Sequence, residues 1–269
     1  MAYGPSRIAS LQPSLTVTLN AIGELGRVVA CTKYCAEVVA GVEDGERLII
    51  HDNWSAKVEQ ILAARPDLVV ASVPYRMESL AEIMKAGVAV LAFAPNCLED
   101  IYRDTQFLAN IVGAEQRGAE LIDYMQAEIA AVRRRARASQ PRVRVYCEEW
   151  GKPLIHSQRW VAELVAAAGG EFVGAPGAQT TAEEVAAGDP DVVIAAWCGA
   201  GDRVPLERMV EQRGWRELRA VRERRVYCVN DEYLNTPAVT LLDGLRAIAS
   251  ALDPAQFGET ARGLRRIAD

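Results

Sequence analysis

Histidine is nearly missing from this 269-residue sequence: there are two, His51 and His156, in opposite halves of the chain. A Gly-x-Ser-x-Gly elbow, a Walker loop and a glycine-rich dinucleotide turn are missing altogether. The local devices that expose a serine nucleophile or cradle a phosphate are therefore not encoded. No run approaches the roughly 18 apolar residues of a membrane span, so membrane insertion is not expected. Positive charge is in deficit, with 30 Lys and Arg against 36 Asp and Glu for a net charge of -6. The short arginine cluster at 133–137 does not reverse this. Without a basic field to neutralise phosphates, nucleic acid is excluded as a partner.

Paired metal-ligand cysteines are also lacking. Cys31, Cys35, Cys97, Cys147, Cys198 and Cys228 are scattered, and only Cys31 and Cys35 approach ligand spacing, with no second pair or neighbouring histidine. They read as small buried residues at strand ends. Six unpaired thiols fit a reducing compartment better than an oxidising one. The chain enters a strand pattern at Arg7 with no basic-then-apolar leader before it. The expected location is the periplasm or cell surface if a leader has been trimmed, and the cytoplasm otherwise.

What is present is half apolar and one quarter charged, enough for two moderate domains. Short apolar runs at 7–11, 28–32, 68–72 and 89–92 alternate with helical periodicity at 15–25, 55–64 and 77–86, the pattern of parallel strands covered by helices. Leu15, Leu19, Ile22 and Leu25 form one such stripe. Helix then dominates, first over 101–112 and next over 114–137, where Leu121, Ile122, Met125, Ile129 and Val132 share a side. After Ser139-Gln140-Pro141 the alternation resumes, with strands at 143–147, 192–196 and 225–229 and helices at 160–168, 205–211, 214–220 and 237–252. The predicted fold is α/β: two doubly wound lobes, 1–112 and 140–269, joined by a single long backbone helix over 113–139.

In such sheets the loops at the carboxyl ends of the strands gather on one edge, where ligands bind. The predicted edge loops carry Gln12, Pro13 and Ser14; Lys33, Tyr34 and Cys35; His51 to Trp54; Tyr75 and Arg76; Glu148 through Trp160; Trp197 through Arg203; and 230–235 with Tyr233. Four of the five tryptophans, Trp54, Trp150, Trp160 and Trp197, fall there. Aromatic rings with a few arginines suit a large planar ligand, although each Trp could instead plug a sheet end. Asp52, Glu148, Glu149, Asp202 and Asp231 lie on the same edge and read as solvated charge or helix caps rather than acid and base. No catalytic residue is assigned, and the chain reads as not an enzyme. No metal site is assigned either; His51 and His156 are the only weak candidates, read as polar loop residues or ligand-edge donors.

The residues carry a resemblance. Arg7-Ile-Ala-Ser-Leu-Gln-Pro-Ser14, Val28-Val-Ala-Cys-Thr32, Pro66-Asp-Leu-Val-Val70 and Gly87-Val-Ala-Val90 resemble the N-terminal lobe of cluster-III, helical-backbone (TroA-like) substrate-binding proteins for vitamin B12, iron-siderophores and haem. Trp160-Val-Ala-Glu-Leu-Val165, Asp189-Pro-Asp-Val-Val-Ile194, Cys198-Gly199 and Tyr233-Leu-Asn-Thr-Pro237 are similar to the cobalamin-binding branch. The resemblance implies non-catalytic binding of a large planar or chelated ligand, a corrinoid such as cobalamin first, in a cleft between the lobes for delivery to an ABC importer. No cofactor is implied, since any cobalt arrives with the corrinoid, and a monomer is expected. Ligand-binding residues would be Gln12, Pro13, Ser14, Lys33, Tyr34, Trp54, Tyr75 and Arg76 from the first lobe. From the second come Trp150, Arg159, Trp160, Trp197, Arg203 and Tyr233. Glu78 and Glu207 would dock against arginines of the transporter permease. Three edge segments depart from that branch: Arg159 replaces a histidine, Lys33-Tyr-Cys-Ala36 replaces His-Glu-Cys-Asp, and Thr236-Pro-Ala-Val239 replaces Pro-Gly-Pro-Arg. An altered corrinoid, a haem-like tetrapyrrole, a ferric siderophore or another aromatic compound all stay open. So does a cytoplasmic carrier, sensor or enzyme of the same fold that binds a tetrapyrrole, siderophore or metal ion.

Overall fold

A computed structural model describes residues 4–51, 58–73, 77–136 and 142–268, with side-chain detail from 78 onward in the third segment. The chain divides into two compact units, Met1–Tyr124 and Met125–Asp269. The first contains β1 (Ile8–Ser10), α1 (Pro13–Ala21), β2 (Val28–Thr32), α2 (Lys33–Val38), β3 (Leu48–Ile50), α3 (Val58–Ala63), β4 (Leu68–Ser72), α4 (Met77–Lys85), β5 (Ala89–Phe93) and α5 (Leu98–Ile111). Its five strands are all parallel, in the order β3-β2-β1-β4-β5. Every residue of β1 and β4 is buried, which accounts for uninterrupted apolar runs where alternation would mark a half-exposed sheet.

Winding reverses between β1 and β4, the switch point beside which ligands bind in open sheets of this kind. Pro13, with its fixed φ and missing N–H, opens α1 directly after extended Gln12. The Thr32 hydroxyl accepts the Cys35 N–H and caps α2. Lys33, Tyr34 and Cys35, expected in a loop, are therefore the first turn of a helix.

The long helix is α6 (Glu115–Ala136), 22 residues, with Met125, Ile129 and Ala136 buried and Arg133, Arg134 and Arg135 in its last turn. Those arginines complement the negative end of the helix dipole. The boundary between the two units falls inside this helix.

The second unit contains β6 (Arg144–Gly151), β7 (Leu154–His156), α7 (Arg159–Ala167), β8 (Glu171–Phe172), β9 (Gln179–Thr180), α8 (Ala182–Gly188), β10 (Val192–Ala195) and α9 (Leu206–Gln212). It continues with α10 (Arg219–Arg222), β11 (Val226–Val229), α11 (Glu232–Asn235), α12 (Leu241–Leu252), α13 (Pro254–Phe257) and β12 (Leu264–Arg266). The strand order is β12-β11-β10-β6-β7-β9, with β8 pairing parallel to the start of β6. Strands β6, β10 and β11 are parallel, while β7 and β12 run antiparallel to their neighbours. Tyr146, Val193, Met209, Trp215 and Val226 belong to one buried cluster in this unit.

Three expectations need correction here. Strand β6 does not end at Cys147; it continues to Gly151 and folds back as a hairpin with β7, so 148–151 and His156 are strand. The helix expected over 214–220 is a 3-10 turn at Trp215–Glu217 followed by α10, because Leu218 between them is extended. The helix expected from 237 begins at Leu241, after a turn in which the Ala238 N–H bonds the Thr236 carbonyl.

Candidate ligand-binding edges

The carboxyl edge of the first sheet is tied together at the switch between β1 and β4. The Gln12 side-chain amide donates to the carbonyls of Ser72 and Val73, each at 3.2 Å, and so links the loops after the two strands. Ser14 is buried in the first turn of α1, with Pro13 partly exposed beside it. On α2 the Lys33 ammonium lies 4.9 Å from the centre of the Tyr34 ring, a cation–π pair on half-buried side chains. His51 is exposed just beyond β3. Trp54, Tyr75 and Arg76, together with Asp52, lie outside the described residues. Glu78 is exposed in the first turn of α4.

In the second unit the corresponding switch lies between β6 and β10, and a polar network centred on a buried carboxylate underlies it. Glu148 is completely buried. Arg213, the residue following α9, grips its carboxylate with two N–H groups at 2.6 and 2.7 Å. The Trp197 indole N–H donates at 2.7 Å and the Tyr146 hydroxyl at 2.5 Å. Four donors thus satisfy one carboxylate, the condition under which a buried charge is tolerated. Burial, and then the neighbouring Glu148 charge, pushes the Tyr146 phenol well above its ordinary value, so it stays a donor. The guanidinium also lies 4.8 Å from the Trp215 ring centre and 5.8 Å from that of Trp197. Gly151 is glycine for a steric reason: a Cβ there would lie 2.5 Å from Trp197 Cζ2. Glu148, expected as solvated charge or a cap, is therefore the centre of the network that orients Trp197.

Above this network sits a second set of groups. Glu149 accepts the Gln158 amide at 2.7 Å and the Cys198 thiol at 3.8 Å. Burial raises its pKa against those two bonds. The Asn235 amide donates to the Ala196 carbonyl and to the Cys198 sulfur, leaving its buried Oδ1 without a protein partner. The Cys198 thiol is pushed up by desolvation and by the carboxylates Glu149 and Asp231. Asp231 receives the N–H groups of Gly199 and Gly201 at 2.7 and 2.8 Å and so shapes the loop after β10. Burial raises its pKa.

The expected aromatic lining separates into two groups. Trp150 is 43% exposed, its indole N–H on the Lys152 carbonyl, and Trp197 is half-buried behind it in sequence. Arg159 and Arg203 are exposed. Trp160 and Tyr233 lie in the interior instead. The Trp160 indole donates to the Leu234 carbonyl at 2.8 Å, and the Tyr233 ring is bordered by Gly263 and Arg262. His156, expected at a ligand edge, is a core residue at 4% exposure, edge-on to Tyr146 at 5.2 Å and near Phe172 at 6.0 Å. Burial lowers its pKa. Glu207 is exposed in the first turn of α9, where its carboxylate accepts the Ala268 N–H at 3.0 Å; its own and the Ala268 backbone N–H lower its pKa.

Among the described residues no group of three or more His, Cys, Asp or Glu side chains is placed to hold a metal ion. No helix among them is long and apolar enough to cross a membrane. A cavity of about 60 Å³ lined by Ala136, Val143, Ala168, Gly169, Leu252, Asp253 and Phe257 lies at the amino end of β6. That is far below the roughly 300–1,000 Å³ of ligand pockets.

Gln158 and Asn235 fall in edge loops expected from sequence but carry no assigned role there, and Arg213 lies outside those loops. Arg213 is 65 positions from Glu148, and no local pattern joins them. A signal for Glu148 did exist: in a strand it shares a face with Tyr146.

Two relatives and one solved structure frame these edges. The chain is 23% identical over 270 residues to the uncharacterized ABC transporter substrate-binding lipoprotein YvrC of Bacillus subtilis, covering 95% of this chain and 82% of that protein. It is 26% identical over 254 residues to the vitamin B12-binding protein of Vibrio parahaemolyticus, covering 91% and 89%. Its fold superimposes on the periplasmic heme-binding protein RhuT from Roseiflexus sp. RS-1 in apo form with a TM-score of 0.79 at 26% identity, over 93% of this chain and 100% of that one. The family model for periplasmic binding proteins matches residues 8–233, from the first strand of the five-stranded sheet into α11, and the chain belongs to that family.

Proposed function

We propose that this protein reversibly binds a large planar or chelated ligand, a corrinoid first, and delivers it to an ABC importer without catalysing a reaction. The observation that carries the reading is the β6–β10 switch. There Trp150 and Trp197 stand at the carboxyl edge, in a unit whose Arg159 and Arg203 are exposed, with Trp197 held by a network that is already satisfied. Preorganised rings stack on a broad apolar face, while arginines meet peripheral amides or carboxylates. Family membership and the vitamin B12-binding relative support the corrinoid, and the Bacillus lipoprotein supports an importer as partner. In this reading the protein works in the periplasm or at the cell surface, has no resident cofactor, and presents Glu78 and Glu207 to permease arginines.

The heme-binding structural relative makes a tetrapyrrole the competing ligand. Cyanocobalamin, cobinamide, haemin and a ferric siderophore, each mixed with the protein at tens of micromolar, separate the two by absorbance and melting temperature. Cobinamide or cobalamin should raise the melting temperature, since a ligand at several times its Kd stabilises the folded state by roughly 1 kcal/mol or more. A shift with haemin alone transfers the reading to tetrapyrroles. No shift with any of the four overturns it.

A further inference from the structure

Cys31 is the penultimate residue of β2, and Cys35 lies in the first turn of α2. In a strand that simply continued, residues four apart would be about 13 Å from each other. The bend from strand to helix brings them together instead. Cys31 stands in register beside Ser10 of β1, and the Cys35 sulfur lies 3.8 Å from the Ser10 carbonyl oxygen, so both cysteines meet at the level of Ser10. The two thiols act on each other's ionisation. The Thr32 hydroxyl, 3.2 Å from the Cys35 sulfur, completes the contact. Both residues are fully buried.

The two thiols differ. Burial pushes Cys35 up, but hydrogen bonds from Cys31, Thr16 and Thr32 outweigh it and hold this thiol below its ordinary value. Its bond to Cys35, and then burial, raises Cys31. In the folded state Cys35 is thus the more readily ionised of the two, and the thiolate is the nucleophile in exchange.

We propose that Cys31 and Cys35 are a redox pair that closes to an intramolecular disulfide by exchange with an external disulfide. The Cys35 thiolate attacks one sulfur of R–S–S–R, forming Cys35–S–S–R and releasing RS⁻, which takes up a proton. Cys31 then loses its proton and attacks the Cys35 sulfur, forming the Cys31–Cys35 bond and expelling the second RS⁻. The protein gives up two electrons and two protons, and R–S–S–R leaves as two thiols. Because both sulfurs are shielded from solvent, exchange proceeds in the unfolded chain or when the six-residue α2 opens. The periplasm, named for relatives of this chain, is an oxidising compartment in which such bonds persist. The ring encloses Lys33 and Tyr34, so oxidation pins the bend that carries them. This holds whichever ligand the protein takes.

Trypsin offers a direct readout, because cleavage after Arg27, Lys33 and Arg47 places Cys31 and Cys35 on different peptides. The protein is reduced, unfolded, refolded in a mixture of reduced and oxidised glutathione, quenched with iodoacetamide and mapped by mass spectrometry without reduction. Peptides 28–33 and 34–47 should appear joined and separate on addition of dithiothreitol, while exposed Cys198 carries glutathione or the alkyl group. In Cys31→Ser the joined pair should vanish. Recovery of Cys31 and Cys35 as separately alkylated peptides from the wild-type chain overturns the proposal, as does a bond from Cys35 to any other cysteine. The wild-type map decides even if the variant fails to fold.

Discussion

Each unit buries a carboxylate among arginines, and the two settings differ in how much water reaches the partners. In the first unit Glu24, 8% exposed, is held by Arg27 and Arg117, whose side chains are 27% and 47% exposed. In the second, Glu148 is inaccessible and Arg213 is 9% exposed, with Tyr146 and Trp197 completing the shell. Charge pairing alone does not set the worth of such a contact. Around Glu24, solvent can rehydrate a carboxylate that loses one arginine, and a second arginine remains. Around Glu148, nothing replaces Arg213.

The largest predicted effect follows from that difference. Arg213→Ala strands a buried charge and should cost about 3–5 kcal/mol. Arg117→Ala, with its partner still paired, should cost about 1 kcal/mol or less. Urea unfolding measures both, and equal costs would break the comparison. Arg213→Ala should also release Trp197 and weaken the ligand-induced melting shift, which Arg117→Ala should leave in place.

Acid separates the units next. His156 is lowered below 6.5 by burial, so on acidification the unfolded chain takes up its proton first. Its contribution is complete above about pH 6.5 and is lost as pH falls toward the folded value. Asp67, in the first unit, is lowered below 3.8 because bonds from Ser6 and Arg7 outweigh burial; its contribution is lost only below that. Melting temperature against pH should therefore decline less steeply below pH 6.5 in His156→Phe than in the parent. Asp67→Asn should follow the parent until about pH 4. Glu149 and Asp231, raised by burial, act with the opposite sign, stabilising at low pH and losing that contribution as pH rises. Variant against parent is accordingly the informative difference, and a His156→Phe profile as steep as the parent's would remove the distinction.

The smallest effect is at the first edge. Gln12→Ala removes the amide that links the loops after β1 and β4 and should cost about 0.5–1.5 kcal/mol by thermal or urea unfolding. A loss as large as that of Arg213→Ala would show that the two edges are equally dependent on their polar ties.

Fold was far more legible than the site. Strands β2 and β4 occupy the residues read from their apolar runs, and α6 covers 115–136 of the helix expected over 114–137, because each of these patterns is contiguous. Lys33 to Cys35 read as loop in the sequence because the Thr32 cap depends on one hydroxyl rather than on a period. Trp160 illustrates the harder problem: its position beside an edge loop was readable, but whether its ring faced solvent or the Leu234 carbonyl was not. His156 and Glu148 were misplaced together, since both depend on a hairpin that the run ending at Cys147 did not announce.

By itself the sequence determined the family, the alternation of strand and helix, the long helix, and the lack of a basic surface, a nucleotide loop or a membrane span. These are properties of neighbouring residues or of totals along the chain. Only the tertiary structure decided which edge residues are available and which are consumed: Glu148 by Arg213, Trp160 by Leu234, His156 by Tyr146, and Cys35 by Cys31. Burial and pairing are set by residues that folding brings together, Trp160 and Leu234 from 74 positions apart. No local pattern encodes that distance.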